Sequence, residues 1–137
     1  MCDKMSEACE KILFITEQLY TMQDFIPTLL VDTVLDMTKI NTHFMQQIES
    51  LRPFGMGFQS PLFMIENVSS IVSPLGQTGQ HLKWETGIRG LEMVGFHIGD
   101  FAEILSSVPM HLIGKITTRT WRDVVTIQFQ VVDAVKV

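Results

Sequence analysis

The chain has 137 residues, 46% apolar and 18% charged, and ten Lys plus Arg against fifteen Asp plus Glu leave a formal charge of −5. That size and apolar content fit one ordinary domain, or a small domain with a helical arm, and exclude a disordered chain. A membrane span is excluded too, because the longest apolar runs, at 26–30 and 124–132, are short or broken by polar residues; nor does the acidic balance advertise a nucleic-acid binder.

From the N-terminus, Met5, Ala8, Cys9, Ile12, Ile15, Leu19 and Tyr20 fall on one stripe of a helix predicted over 5–21. Glu7, Glu10, Lys11, Glu17 and Gln18 take its other side. Asp24 to Pro27 ends it. Residues 28–35, apolar and β-branched, read as a strand. Asn41 or Thr42 then caps a short helix carrying Phe44, Met45, Ile48 and Leu51, which Pro53 stops. Residues 52–63 hold two glycines and two prolines, so they form a shaped loop that Pro53, Phe54 and Pro61 pack down, the alternative being a recognition loop. Gly55 and Gly57 there serve positive φ or close backbone approach.

A run of strands follows. The first is predicted over 62–72 and closed by a turn at Ser73-Pro-Leu-Gly76; the next two cover 81–86 and 91–98. Residues 99–107 read as a helix with Phe101, Ile104 and Leu105 on one side, and strands four and five span 110–120 and 124–135. In the last, Val125, Ile127, Phe129 and Val131 alternate with Thr126, Gln128 and Gln130, predicting one buried and one wet face. Three strands, a helix and two strands is the order of an OB-fold. The expected fold is therefore mainly β with a helical N-terminal arm: a five-stranded OB-fold Greek-key barrel with a helix between strands three and four. The expected organisation is a connector arm over 1–60 and the OB-fold domain over 61–137. Four bases and eight acids give the arm −4, and six bases against seven acids give the barrel −1.

Strand parity puts His81, Lys83 and Glu85 on one face, and Lys115, Thr117 and Arg119 on another that Trp121 continues. Arg89 falls between strands two and three, and Arg122 at the last hairpin. OB-folds hold single strands in a groove of bases with aromatic platforms. Lys83, Arg89, Lys115, Arg119 and Arg122 are the candidate phosphate contacts, with Trp121 or Trp84 for stacking. Parity groups Trp84 with Leu82, which favours the core for it. The alternative for the basic set is an ordinary solvated face.

The four histidines, at positions 43, 81, 97 and 111, lack a carboxylate cluster at ligand spacing, so no catalytic or metal residue is assigned. Cys2 and Cys9, seven residues apart with no other cysteine, read as reduced thiols of a cytoplasmic protein. Met45, Met64, Met93 and Met110 read as core filler.

The segment Leu51-Arg-Pro53-Phe54-Gly55-Met-Gly57-Phe58-Gln-Ser-Pro61-Leu-Phe63 resembles the L-x-P-F-G-x-G-N-x-x-P-x-F segment that precedes the OB-fold in RecJ, the single-stranded-DNA-specific exonuclease of the DHH family. Gly79-Gln-His81-Leu82-Lys83, Phe96, Gly99-Asp100, Trp121, Gln128 and Asp133 also agree, and Leu30-Val-Asp32 with the 41–51 helix resembles that family's connector. The likeness covers about residues 28–137. Two positions depart from it: Phe58 stands where the family has Asn, and Arg122-Asp123 where it tends to have Asn-Gly. Without glycine, that hairpin needs a wider loop or strained φ values.

The resemblance implies a single-stranded-DNA-binding OB-fold module of a 5′–3′ exonuclease acting in DNA repair and recombination. Single-stranded DNA, RecJ-like catalytic domains and a single-strand-binding protein are the implied partners, with no membrane. The family's Asp-His-His and Gly-Gly-His motifs do not occur here. No cofactor is therefore expected in this chain, and manganese or magnesium is expected only in catalytic domains that it lacks. The competing reading is an interaction domain that docks the nuclease core or a single-strand-binding protein.

Overall fold

The computed structural model describes residues 3–21 and 26–137, so Cys2 and the helix stop at Asp24 lie outside the described residues. The chain divides into two compact units, Met1–Leu30 and Val31–Val137. In the first, helix α1 spans Asp3–Leu19. Lys11 Nζ donates to Glu7 Oε1 at 2.7 Å, and the Thr16 hydroxyl donates to the Ile12 carbonyl at 2.8 Å. Met5, Ile12, Ile15 and Leu19 are exposed along its apolar stripe, and Cys9 is a free, exposed thiol.

The second unit holds seven strands, β1 (Thr33–Val34), β2 (Phe63–Val68), β3 (Val72–Leu75), β4 (His81–Trp84), β5 (Leu91–Gly95), β6 (Met110–Trp121) and β7 (Val124–Lys136). They form one sheet in the order β1-β2-β6-β7-β5-β4-β3. All neighbours are antiparallel except β1 with β2 and β5 with β7. Five strands were expected, and two causes account for the difference. The connector contributes β1, and the strand predicted over 62–72 breaks into β2 and β3. Asn67 has φ 52, a register shift falls between Ile65 and Val68, and the chain changes partner from β6 to β4 across the break. The ladder has two free ends, so pairing alone does not close a ring.

It is nonetheless strongly curled. Five inter-strand steps of about 4.8 Å separate β2 from β3 in a flat sheet, whereas the four residue steps from Val68 to Val72 reach at most about 14 Å. The predicted turn at Ser73-Pro-Leu-Gly76 is instead β3 itself, with the turn beginning at Gly76 (φ 85). Proline is tolerated there because β3 is an edge strand.

Of the connector strand predicted over 28–35, only Thr33–Val34 forms. Its single partner is β2, held by Asp32 N–H to the Leu62 carbonyl (2.9 Å) and Leu35 N–H to the Met64 carbonyl (2.8 Å). The Asp32 carboxylate accepts a further bond from Leu62 N–H at 2.8 Å. A short 3₁₀ turn follows at Met37–Lys39. Helix α2 (Thr42–Ser50) is capped by Asn41, whose side chain accepts from Phe44 N–H at 3.0 Å. It buries Met45 and Ile48, and Phe44 meets Phe63 edge-on at 5.7 Å.

The 99–107 helix begins as a 3₁₀ turn, Gly99–Phe101, and continues as α3, Ala102–Ser107. Phe101, Ile104 and Leu105 line one groove together as expected, but only Leu105 is buried, and Ala102 packs on the core. The inner face of the sheet is the core. Trp84, Met93, Phe129 and Ile116 form one row across β4, β5, β7 and β6. Gly114 lies beside that row because a Cβ there would strike the Gln130 carbonyl oxygen and the Phe129 ring.

Candidate nucleic-acid interface

The outer face of the sheet follows from the same parity. Ser73, Lys83, Val94, Gln130 and Lys115 form one row across β3, β4, β5, β7 and β6. Glu92, Gln128 and Thr117 form the adjacent row, and Arg119 pairs with Thr126 and Trp121 with Val124 beyond it. Lys83, Lys115, Arg119 and Trp121 therefore lie on one side of the sheet, with Val94 and Gln128 buried among them.

Glu92 links the cations. One of its carboxylate oxygens lies 3.2 Å from Lys83 Nζ and the other 3.8 Å from Arg119 Nη1, which reaches over β7. Arg119 and Arg122 in turn place their guanidinium carbons 6.0 and 5.8 Å from the Trp121 ring centroid, within cation–π range. Glu92, Arg119, Trp121, Arg122, Val124 and Thr126 line an open depression of about 400 Å³. Trp121 is 64% exposed, so its ring is available, whereas Trp84 is 2% exposed and belongs to the core.

The hairpin carrying Trp121 is tight despite lacking glycine. Trp121 pairs with Val124, and Arg122 and Asp123 both hold positive φ, 46 and 63. Two positive φ values at the centre of a two-residue loop are what a type I′ hairpin requires. The strained alternative, rather than the wider loop, is the one adopted, and it projects Arg122 at the strand tip.

Arg89 stands apart from this set. It is exposed in the β4–β5 loop, and the neighbouring Gly90 carbonyl accepts from Ile127 N–H at 3.0 Å, which places the loop at the hairpin end of the sheet. No ion pair or ring contact joins Arg89 to the cluster among the described residues. Gln128, expected on the wet side, is only 5% exposed and accepts a hydrogen bond from Gln130 Nε2 at 2.9 Å. Val125, expected on the buried side, is exposed near the hairpin tip, beyond the core. Sequence reasoning missed Glu92; its signal was a carboxylate alternating with Leu91 and Met93, on the face that Lys83 shares.

The loop at 52–63 is held largely by contacts within itself. Gly55 and Phe58 exchange backbone hydrogen bonds of 2.8 and 3.2 Å around Met56-Gly57, where Gly57 has φ 88. Phe54 packs on the core and lies 5.7 Å from Phe58, so an aromatic pair stands where the family Asn is replaced. Pro61 is half-buried and Pro53 is exposed. Gly99 explains another matched pair of segments: its N–H donates to the Gln80 carbonyl at 3.0 Å, and a Cβ there would collide with the Gly79 carbonyl oxygen. Among the described residues no three His, Cys, Asp or Glu side chains gather as metal ligands would, and no helix is long and apolar enough to cross a membrane.

A curled, mainly antiparallel sheet packed against a short helix defines a mainly β domain. Residues 31–133 match the family described as the RecJ OB domain, and the chain belongs to that family. It is 28% identical over 124 residues to the single-stranded-DNA-specific exonuclease RecJ of Bacillus subtilis, covering 88% of this chain and 16% of that protein. Crystal structures of Thermus thermophilus RecJ with Mn²⁺ and with Mg²⁺ resemble its fold, each with a TM-score of 0.53. They are 24% and 23% identical, over 68% of this chain and 13% and 14% of theirs. The chain thus corresponds to a small part of the relatives it matches.

Proposed function

We propose that this domain binds single-stranded DNA on its outer sheet face, as the OB module of a RecJ-like 5′–3′ exonuclease. The carrying observation is the cluster of Arg119, Trp121 and Arg122 at the β6–β7 hairpin, with Lys83 joined to it through Glu92. An exposed ring flanked by guanidinium groups supplies a stacking platform and phosphate contacts together. Lys115 extends the path along β6, and Arg89 borders its hairpin end. The hairpin strain supports the same reading: type I′ geometry favours Asn-Gly, yet a cation holds the first position.

In this reading β2 and β3 are two halves of one bent strand, and the sheet order becomes that of a five-stranded barrel. The family relationship supports a cytoplasmic setting in DNA repair or recombination, beside RecJ-like catalytic domains. Manganese- or magnesium-dependent hydrolysis belongs to those domains, and this module holds the strand.

A second reading, docking of the nuclease core or a single-strand-binding protein, draws on a different surface. Ile98, Phe101, Ile104, Met110 and Val132 line an apolar groove of about 240 Å³ at the far end of the β6–β7 ladder from the hairpin.

Intrinsic fluorescence tests the first reading, because only Trp121 of the two tryptophans is exposed. Adding oligothymidylate at low salt should quench the emission of the folded chain, and Trp121→Ala should abolish the quench and weaken binding about tenfold. A folded chain that neither quenches nor binds at low salt would overturn it.

A further inference from the structure

We infer that Glu92 is a built-in competitor for the nucleic-acid phosphates: an internal anion that occupies two of the binding cations until a polyanion displaces it. This rests on the reading of the outer face as the strand path. Glu92 comes from β5, Lys83 from β4 on one side, and Arg119 from β6, two strands away on the other. The carboxylate uses a separate oxygen for each cation, at 3.2 and 3.8 Å. It lies between the residues that would grip successive phosphates.

Stability does not account well for this arrangement. Both cations are substantially exposed, with 42% and 55% of their side-chain surface accessible, and ion pairs in such settings add little to folding. For a ligand the consequence is larger. A phosphate reaching Lys83 or Arg119 must break a charge-assisted contact and settle beside a carboxylate of like sign. One small anion competes poorly with a tethered carboxylate, whose effective concentration is high. A strand bridging Lys115, Lys83, Arg119 and Arg122 engages several cations at once and releases counterions along its length. Glu92 therefore selects for a chain of phosphates over mononucleotides and lowers overall affinity, which suits a module from which a strand must keep moving.

Glu92→Gln keeps the side-chain shape and an acceptor oxygen while removing the charge. Binding of fluorescently labelled oligothymidylate is measured by anisotropy with the full chain, the Glu92→Gln variant and Glu66→Gln, which removes the same charge from β2. Thermal melts check that all three fold. Glu92→Gln should bind about three- to tenfold tighter, with a steeper loss of affinity as salt rises, and Glu66→Gln should change affinity much less. Deoxythymidine monophosphate should displace the oligonucleotide more readily from Glu92→Gln than from the unaltered chain. Binding by the unaltered chain with no tightening in Glu92→Gln, or equal tightening in Glu66→Gln, would overturn the competitor role and leave the DNA-binding reading intact. No binding by the folded, unaltered chain at low salt would overturn both readings.

Discussion

Arg122 and Asp123 occupy left-handed backbone space that costs a residue with a side chain about 1–2 kcal/mol, and their φ values, 46 and 63, are those of a turn written for Asn-Gly. The two positions separate fold from function. Asp123→Gly should relieve strain and raise stability by about 1 kcal/mol in a denaturant melt without weakening DNA binding. Arg122→Gly should stabilise similarly yet weaken binding about threefold or more, since it removes a phosphate contact. If both variants bind like the unaltered chain, Arg122 takes no part in the interface. Asp36 offers a pH test at the same scale. Hydrogen bonds from the Thr38 hydroxyl (2.7 Å) and N–H (2.9 Å) hold its carboxyl below the ordinary value of 3.8. A depressed carboxylate contributes stability that is present above the unfolded value and lost as pH falls through the folded one. The unaltered chain should therefore melt above Thr38→Val at neutral pH, with the gap narrowing once the pH passes below 3.8; a gap that widens on acidification contradicts the sign.

At the scale of elements, legibility followed how locally each one is determined. Strands β6 and β7 were readable in extent from their long β-branched and alternating runs, whereas the two-residue loop that sets their register was not, since Arg122-Asp123 left a wider turn open. Asn41 announced α2 through its capping chemistry. Pairing partners decided the rest. Nothing around Asn67 to Ile71 reveals that the strand must turn from β6 to β4, and Pro74 looks like a turn residue until its place at an edge is known. The buried row containing Trp84 was legible from parity with Leu82, whereas the burial of Gln128 depends on what surrounds it from neighbouring strands. Glycines carry part of that long-range information. Gly114→Ala should destabilise by about 1–3 kcal/mol because the new Cβ meets backbone and the Phe129 ring. Gly55→Ala, with no atom within 4 Å of its would-be Cβ, should stay within about 0.5 kcal/mol. Equal denaturation midpoints for the two variants would contradict the packing described for β6 on β7.

For the whole molecule, the net charge of −5 argued against a nucleic-acid partner, yet the sum hides its distribution. The first sixty residues carry four bases and eight acids. The sheet then gathers Lys83, Lys115, Arg119 and Arg122 onto one face with Trp121. The face that Lys83, Lys115, Arg119 and Trp121 occupy was legible, since a period of two sorts a strand's faces without a structure. Their meeting was not, because Lys83 and Arg119 are joined only through Glu92 on a third strand. Salt dependence reads that distribution directly. With four cations on the face and one internal carboxylate opposing them, the logarithm of the affinity for oligothymidylate should fall against the logarithm of salt concentration with a slope of about −2 to −3. A folded chain whose binding is absent at low salt, or flat across the salt series, would contradict a phosphate path on this face.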